Sequence, residues 1–283
     1  MVRIITDSST LYSVSQGDEL GIDVSMLSVT IDSRTYREFE EIGTAEFIDI
    51  IHQGHIPLSS QPAIGEVLDI YNKYPEDELI NITIADGLSG TYDTALTAAA
   101  LAKNPERITV FNSRTLCGPH RLLVHMALEM ARAGEAAKAI AAELERLAAT
   151  AKSFLIPQDF DYLRRGGRLS PLAARIGGLI RLAPVMTQTE DGKQLTRFSI
   201  QRSFKRAVQA VVQELTRLGV DAAHQISISH ALAEDLLQIA LDVVTRAFPD
   251  SEIVTYLLSP AFTVQGGPRC LAIQSIRKAG RVL

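Results

Sequence analysis

The first 150 residues switch repeatedly between short β-rich runs and helical stretches, and this alternation restricts the fold more than any other feature. Val2 to Thr6 reads as a buried strand that stops at the polar turn Asp7-Ser8-Ser9. Met26 to Ile31, Leu79 to Ile84 and Ile108 to Phe111 are further β-rich runs. Between and after them, Ala45 to His55, Ala63 to Tyr74, Gly90 to Lys103, Pro119 to Ala133 and Glu135 to Thr150 carry helical periodicity. Strands joined through helices pair in parallel, because each helix is long enough to carry the chain back across the sheet.

The remainder reads differently. Phe154 to Ile156 is a short strand and Asp159 to Arg164 a short helix. Arg181 to Thr189 and Gln194 to Phe198 flank Asp191-Gly192, a good hairpin signal. Helices are expected over Phe204 to Leu218 and Leu232 to Phe248, with strands at Gln225 to Ser229, Ile253 to Leu257 and Cys270 to Ile276. The expectation is therefore an α/β protein of two α/β domains. Residues 1–150 form an N-terminal parallel-sheet α/β/α domain, and residues 151–283 a C-terminal mixed-sheet domain with helices.

Composition excludes several functions. The formal net charge of −5 argues against a nucleic-acid partner, because neutralising phosphates needs a basic surface. Charge is nevertheless uneven. The stretch 164–206 holds Arg164, Arg165, Arg168, Arg175, Arg181, Lys193, Arg197, Arg202, Lys205 and Arg206 against only Glu190 and Asp191. Such a face suits an acidic partner surface. No apolar run reaches membrane-spanning length, so integral membrane association is not expected. The N-terminal run lacks the longer apolar region of a secretory signal. Two isolated cysteines, Cys117 and Cys270, fit a reducing compartment, and a cytoplasmic protein is expected. His52 and His55 have no evident third ligand, so neither a metal nor a cofactor is expected.

The clearest site signal is Asp86-Gly87-Leu88-Ser89-Gly90-Thr91-Tyr92, where a strand ends in a polar turn and a helix begins. Ligands of parallel sheets gather beyond the carboxyl ends of the strands, and a helix start offers free N–H groups to an anion. Ser89 would cap that helix or bind the anion. Ser59-Ser60-Gln61-Pro62 repeats the pattern, and Asp7-Ser8-Ser9 is expected at the same edge. The glycine pairs in Arg164-Arg165-Gly166-Gly167-Arg168 and Gln265-Gly266-Gly267-Pro268 match no phosphate-binding loop.

Taken in order, these segments resemble the DegV family. The most specific are Leu88-Ser89-Gly90-Thr91-Tyr92 and Asp161-Tyr162-Leu163-Arg164-Arg165-Gly166-Gly167-Arg168-Leu169-Ser170. The resemblance implies a bacterial, non-catalytic binding subunit that holds a long-chain fatty acid and presents its carboxylate to a fatty-acid kinase. It implies carboxylate contacts from Ser59, Ser60, Ser89, Gly90, Thr91 and Gln265, and kinase docking through Arg164, Arg165, Arg168 and Arg202. Three positions depart from the family pattern. Ser59 replaces a threonine, Gln265 stands where a histidine is common, and the usual G-P-G reads Gly267-Pro268-Arg269. The head-group site is expected to be free of charge, leaving the carboxylate reactive.

Other chemistry fits parts of the pattern. Gly87-Leu88-Ser89-Gly90-Thr91 approaches a serine-hydrolase elbow with Ser89 as nucleophile and His230 downstream. Helix starts and the Arg164–Arg168 turn would also suit a phosphorylated metabolite. A scaffold role would require no small molecule.

Overall fold

The computed structural model describes residues 1–175 and 182–279. Three sheets organise them. The first is fully parallel, with strand order β2-β1-β6-β7, built from β1 (Val2–Asp7), β2 (Asp23–Ser25), β6 (Glu78–Thr83) and β7 (Ile108–Asn112). Period-two alternation sends Ile4, Ile80 and Ile82 to one face, where they pack with Leu123, Val124, Ile140 and Leu144 of helices Cys117–Arg132 and Ala137–Ala148. Ile5 and Leu79 point the other way, onto Val67, Tyr71 and Ala98 of helices Ile64–Lys73 and Thr91–Leu101. This is the expected covering of a parallel sheet on both faces.

The second sheet has strand order β10-β9-β8-β13-β11-β12, formed by β8 (Lys152–Ile156), β9 (Ala183–Gln188), β10 (Leu195–Gln201), β11 (His224–His230), β12 (Glu252–Leu257) and β13 (Leu271–Arg277). It is mixed: β11 and β12 run parallel and all other neighbours antiparallel. One face is sealed by helices Phe204–Arg217 and Glu234–Ala247 through Val208, Val211, Ala240 and Val244. The expected hairpin around Asp191-Gly192 joins β9 to β10, with Gly192 at φ 73°. Arg181, expected at the start of β9, lies outside the described residues.

Helix Cys117–Arg132 packs against β1 of the first sheet and β11 and β13 of the second. Gly118 permits that approach, since a Cβ there would fall 1.9 Å from Ser227 Oγ.

The third sheet went unrecognised in the sequence. It is antiparallel, β4-β3-β5, from β3 (Ser28–Ile31), β4 (Arg34–Arg37) and β5 (Leu58–Ser60). Its apolar residues Val29 and Ile31 share a core with Phe47 and Ile48 of helix Thr44–Ile51 and with Ala261 and Val264 of helix Pro260–Gly266. Ser59-Ser60 therefore does not open a helix. Both residues sit in an edge strand, and the following helix starts at Ile64 without a side-chain cap.

Candidate functional site

Four segments distant in sequence line one cavity: Ser59, Ser60 and Gln61 at and beyond β5, Leu88 and Ser89 after β6, Arg168 in the glycine-pair turn, and Ala261, Phe262 and Gln265 on helix Pro260–Gly266. Gln265 donates its amide to Ser59 Oγ at 3.0 Å. Gln265 Oε1 is buried and has no hydrogen-bond partner among the described residues. Gly166 lies against it, and a Cβ there would come within 2.0 Å of that oxygen. The turn can therefore carry only glycine at 166 while Gln265 holds this position.

Ser89 Oγ lies 2.8 Å from Thr91 Oγ1. The helix after it is capped by Gly90, without a side-chain cap bond. Gly90 faces the amide of Gln61, which a Cβ would approach to 3.0 Å. Gly90 and Thr91 thus shape the turn from behind, and Thr91 is buried; the cavity wall itself is made by Ser89. The β9–β10 hairpin closes over the same turn. A Cβ on Gly87 would meet Lys193 Cα at 2.2 Å, and Lys193 Nζ pairs with Asp86 at 3.4 Å.

Arg168, expected only at a docking face, is half-buried and lines the cavity. Its Nε donates to the Leu88 carbonyl at 3.1 Å and its Nη1 to the Gly166 carbonyl at 2.6 Å. Desolvation pushes its pKa below the ordinary value, but a guanidinium remains charged. The polar cluster on the cavity wall consequently contains a cation, whereas a head-group site free of charge is expected from the sequence. Leu27, Ile84, Leu116, Leu155, Met186 and Phe262 contribute to a mainly aliphatic remainder of the wall. No sequence pattern separated these residues from ordinary core.

The other expected docking residues are exposed. Arg164 pairs with Asp161 at 2.6 Å, and Arg165 sits over the Tyr162 ring, 4.5 Å from its centroid. Arg202 does not join them. Leu195, at the start of β10, bridges to Leu169 beside the glycine-pair turn, whereas Arg202 follows the far end of that strand. At ~3.3 Å per residue the strand separates them by roughly 20 Å.

Asp7-Ser8-Ser9 does not line the cavity; all three residues are fully buried behind it. Asp7 accepts from the Ser9 and Ile84 amides, and Ser9 Oγ bonds His120 Nδ1 at 2.9 Å. Burial lowers the pKa of His120. Ser8 donates at 2.6 Å to Glu38, a buried acid that sequence inspection missed. His230 is also buried, and its Nδ1 accepts from the Ala233 amide at 3.0 Å. Among the described residues no histidine lines the cavity beside Ser89, an arrangement that offers the serine no general base. His55 pairs with Asp32, and no group of three or more metal-ligating side chains occurs among the described residues.

Fold and cavity together define a two-domain α/β protein with a cavity that is apolar over most of its wall, with polar residues gathered at Ser59, Ser89, Arg168 and Gln265 and a further polar pair, Ser153 and Gln274. The chain belongs to the DegV family, whose model, described as an uncharacterised protein of that family, matches residues 1–278. A DegV domain-containing protein of Listeria innocua is 32% identical over 214 residues, covering 74% of this chain and 75% of the relative. The structure titled as fatty acid binding of a DegV family protein from Thermus thermophilus superposes with a TM-score of 0.88 at 24% identity, over 98% of this chain and 99% of the other. DegV of Bacillus subtilis, described as a fatty acid binding protein, superposes with a TM-score of 0.85 at 25% identity and the same coverage. No helix among the described residues is long and apolar enough to cross a membrane.

Proposed function

We propose that this protein is a non-catalytic carrier that binds a long-chain fatty acid and presents its carboxylate to a fatty-acid kinase for phosphorylation in the bacterial cytoplasm. The observation that carries the reading is the meeting of Ser59, Ser89, Gln265 and Arg168 on the wall of one mainly apolar cavity. Family membership and the fatty-acid binding of the Bacillus subtilis protein support it. Residues 1–150 supply Ser59, Ser60, Ser89, Gly90 and Thr91, while residues 151–283 complete the acyl pocket and add Gln265 and Arg168. The buried, unpaired thiols of Cys117 and Cys270 accord with a reducing compartment.

The energetics suit a carrier. Burying fifteen methylenes contributes up to about 12 kcal/mol at ~0.8 kcal/mol each, before the costs of association. The tail then supplies most of the affinity, and the polar cluster selects which end faces the partner. Arg164, Arg165, Arg168 and Arg202 are assigned to partner recognition, with Arg168 shared between the two tasks.

Native mass spectrometry of protein purified from bacterial cells, with identification of what denaturation releases, tests the reading. A stoichiometric fatty acid, phosphorylated when kinase and ATP are added, is expected. A phosphorylated metabolite in its place, or an empty protein that refuses added fatty acid, would overturn it.

A further inference from the structure

Glu38 is fully buried directly behind the cavity wall. Its Oε1 accepts from Ser8 Oγ at 2.6 Å and its Oε2 from the Ala261 amide at 3.0 Å. Ser8 Oγ in turn accepts from the Leu27 amide at 2.9 Å. Leu27 and Ala261 line the cavity; Glu38 does not. The carboxyl is thus pinned from two sides and cannot retreat from the site. Ala261 and Gln265 lie on the same helix, Pro260–Gly266. Four residues at ~1.5 Å each put Ala261, whose amide the Glu38 carboxyl accepts from, about 6 Å along the helix axis from Gln265, which holds Ser59.

No cation pairs with Glu38 among the described residues. The ionisable group whose charge reaches it is Asp7, at the end of β1; the neighbouring Cys117 thiol, at the start of helix Cys117–Arg132, is pushed up by burial and stays neutral. Helix Pro260–Gly266 carries no ionisable side chain. Asp7 is fully buried too, so a second acid already faces Glu38. An anionic head group at Ser59 and Gln265 would bring a further negative charge into this poorly screened space. Like charges at such range favour the protonated acid. Arg168 meets the head group from the Leu88 side and offsets part of that charge.

We propose that Glu38 takes up a proton when the anionic head group binds, so that the site holds its ligand more weakly as the surroundings become more alkaline. Burial already raises the Glu38 pKa from 4.5 to about 7, opposed by its hydrogen bonds from Ser8 and Ala261. The group therefore titrates where a modest change in surroundings alters its charge. The inference rests on the fatty-acid reading and adds a proton to that binding step.

Isothermal titration of tetradecanoate, below its aggregation concentration, in buffers of different ionisation enthalpy reads the proton directly. Wild-type protein should take up a fraction of one proton at pH 7, and affinity should fall about tenfold between pH 6 and pH 8. E38Q keeps an acceptor for the Ala261 amide and a donor toward Ser8, so it should bind with neither proton uptake nor a pH slope. Binding without uptake in the wild type, or equal uptake in E38Q, would overturn the coupling and leave the fatty-acid reading standing. Failure of the wild type to bind at any pH would overturn both. The wild-type measurement decides the matter even if E38Q does not fold.

Discussion

Gln265 and Ser59 stand 206 residues apart in sequence, yet the amide of one donates to the hydroxyl of the other at 3.0 Å on the cavity wall. The bond ties helix Pro260–Gly266, which precedes the last strand, to the edge strand β5, so the polar cluster exists only when both ends of the chain are in place. Gln265→Leu removes that donor and leaves Ser59 unsupported. Loss of one such bond costs about 1 kcal/mol, or roughly fivefold in fatty-acid affinity by displacement titration. Gln265→His restores a ring donor and should recover most of the loss. Equal affinity for the leucine variant would show that the pair does not support the head group.

Ser89 makes its hydrogen bond to Thr91 within the turn and lines the cavity from that position. Ser89→Ala should weaken fatty-acid retention by roughly three- to tenfold, the effect of about 1 kcal/mol. Thermal stability should fall only slightly, because the Ser89 hydroxyl accepts from the Thr91 amide at a long 3.4 Å and Gly90 itself makes no side-chain cap bond. Unchanged retention and phosphorylation would exclude Ser89 from the site.

Ser89 was legible in the sequence because a strand, a polar glycine turn and a helix are all local signals. Parallel pairing in the first sheet and the hairpin in the second were legible for the same reason. The third sheet was not: its strands of three or four residues are too short to show alternation, and Arg34–Arg37 looks like surface. Glu38 was hidden in the charged run Arg37-Glu38-Phe39-Glu40-Glu41. Its burial depends on Ala261, 223 residues away, a contact with no local signature. Arg168 was recognised as part of a motif, but its place on the cavity wall was not legible. Its bond to Leu88, 80 residues away, has no local signature.

Arg269 occupies φ 59°, a left-handed conformation that favours glycine. Its guanidinium bonds Asp235 at 2.7 and 2.9 Å, an exposed pair that offsets little of the backbone cost. Arg269→Gly should raise stability by up to ~1 kcal/mol, a gain of a few degrees in Tm. A fall in Tm would show that the ion pair outweighs the strain.

Glu38 also fixes a pH dependence of stability in the unliganded protein. Its pKa rises from 4.5 to about 7 on folding, chiefly through desolvation. The folded state then binds the proton more tightly than the unfolded state, so stability is greatest below about pH 4.5 and is lost as pH rises through about 7. The loss is roughly 3 kcal/mol at ~1.4 kcal/mol per pKa unit. Urea denaturation at pH 5 and pH 8 should show this fall in the wild type and not in E38Q. Parallel curves for the two proteins would mean that folding does not raise the Glu38 pKa.

Kinase coupling should depend on charges that fatty-acid binding does not use. Arg165 is exposed over Tyr162, and Arg202 lies beyond the far end of β10. Neither lines the cavity. Exposed charges of this kind govern how fast an acidic partner docks, and their effect weakens with salt. Arg165→Glu and Arg202→Glu should each slow phosphorylation of bound fatty acid several-fold, more at low ionic strength, with fatty-acid affinity unchanged. Because roughly 20 Å of strand separates the glycine-pair turn from Arg202, the two effects should combine additively in free energy. If Arg165→Glu acts alone, the partner covers only the glycine-pair turn. If both variants lose fatty acid and phosphorylation in equal measure, the arginines belong to the binding site and the division between holding and docking is wrong.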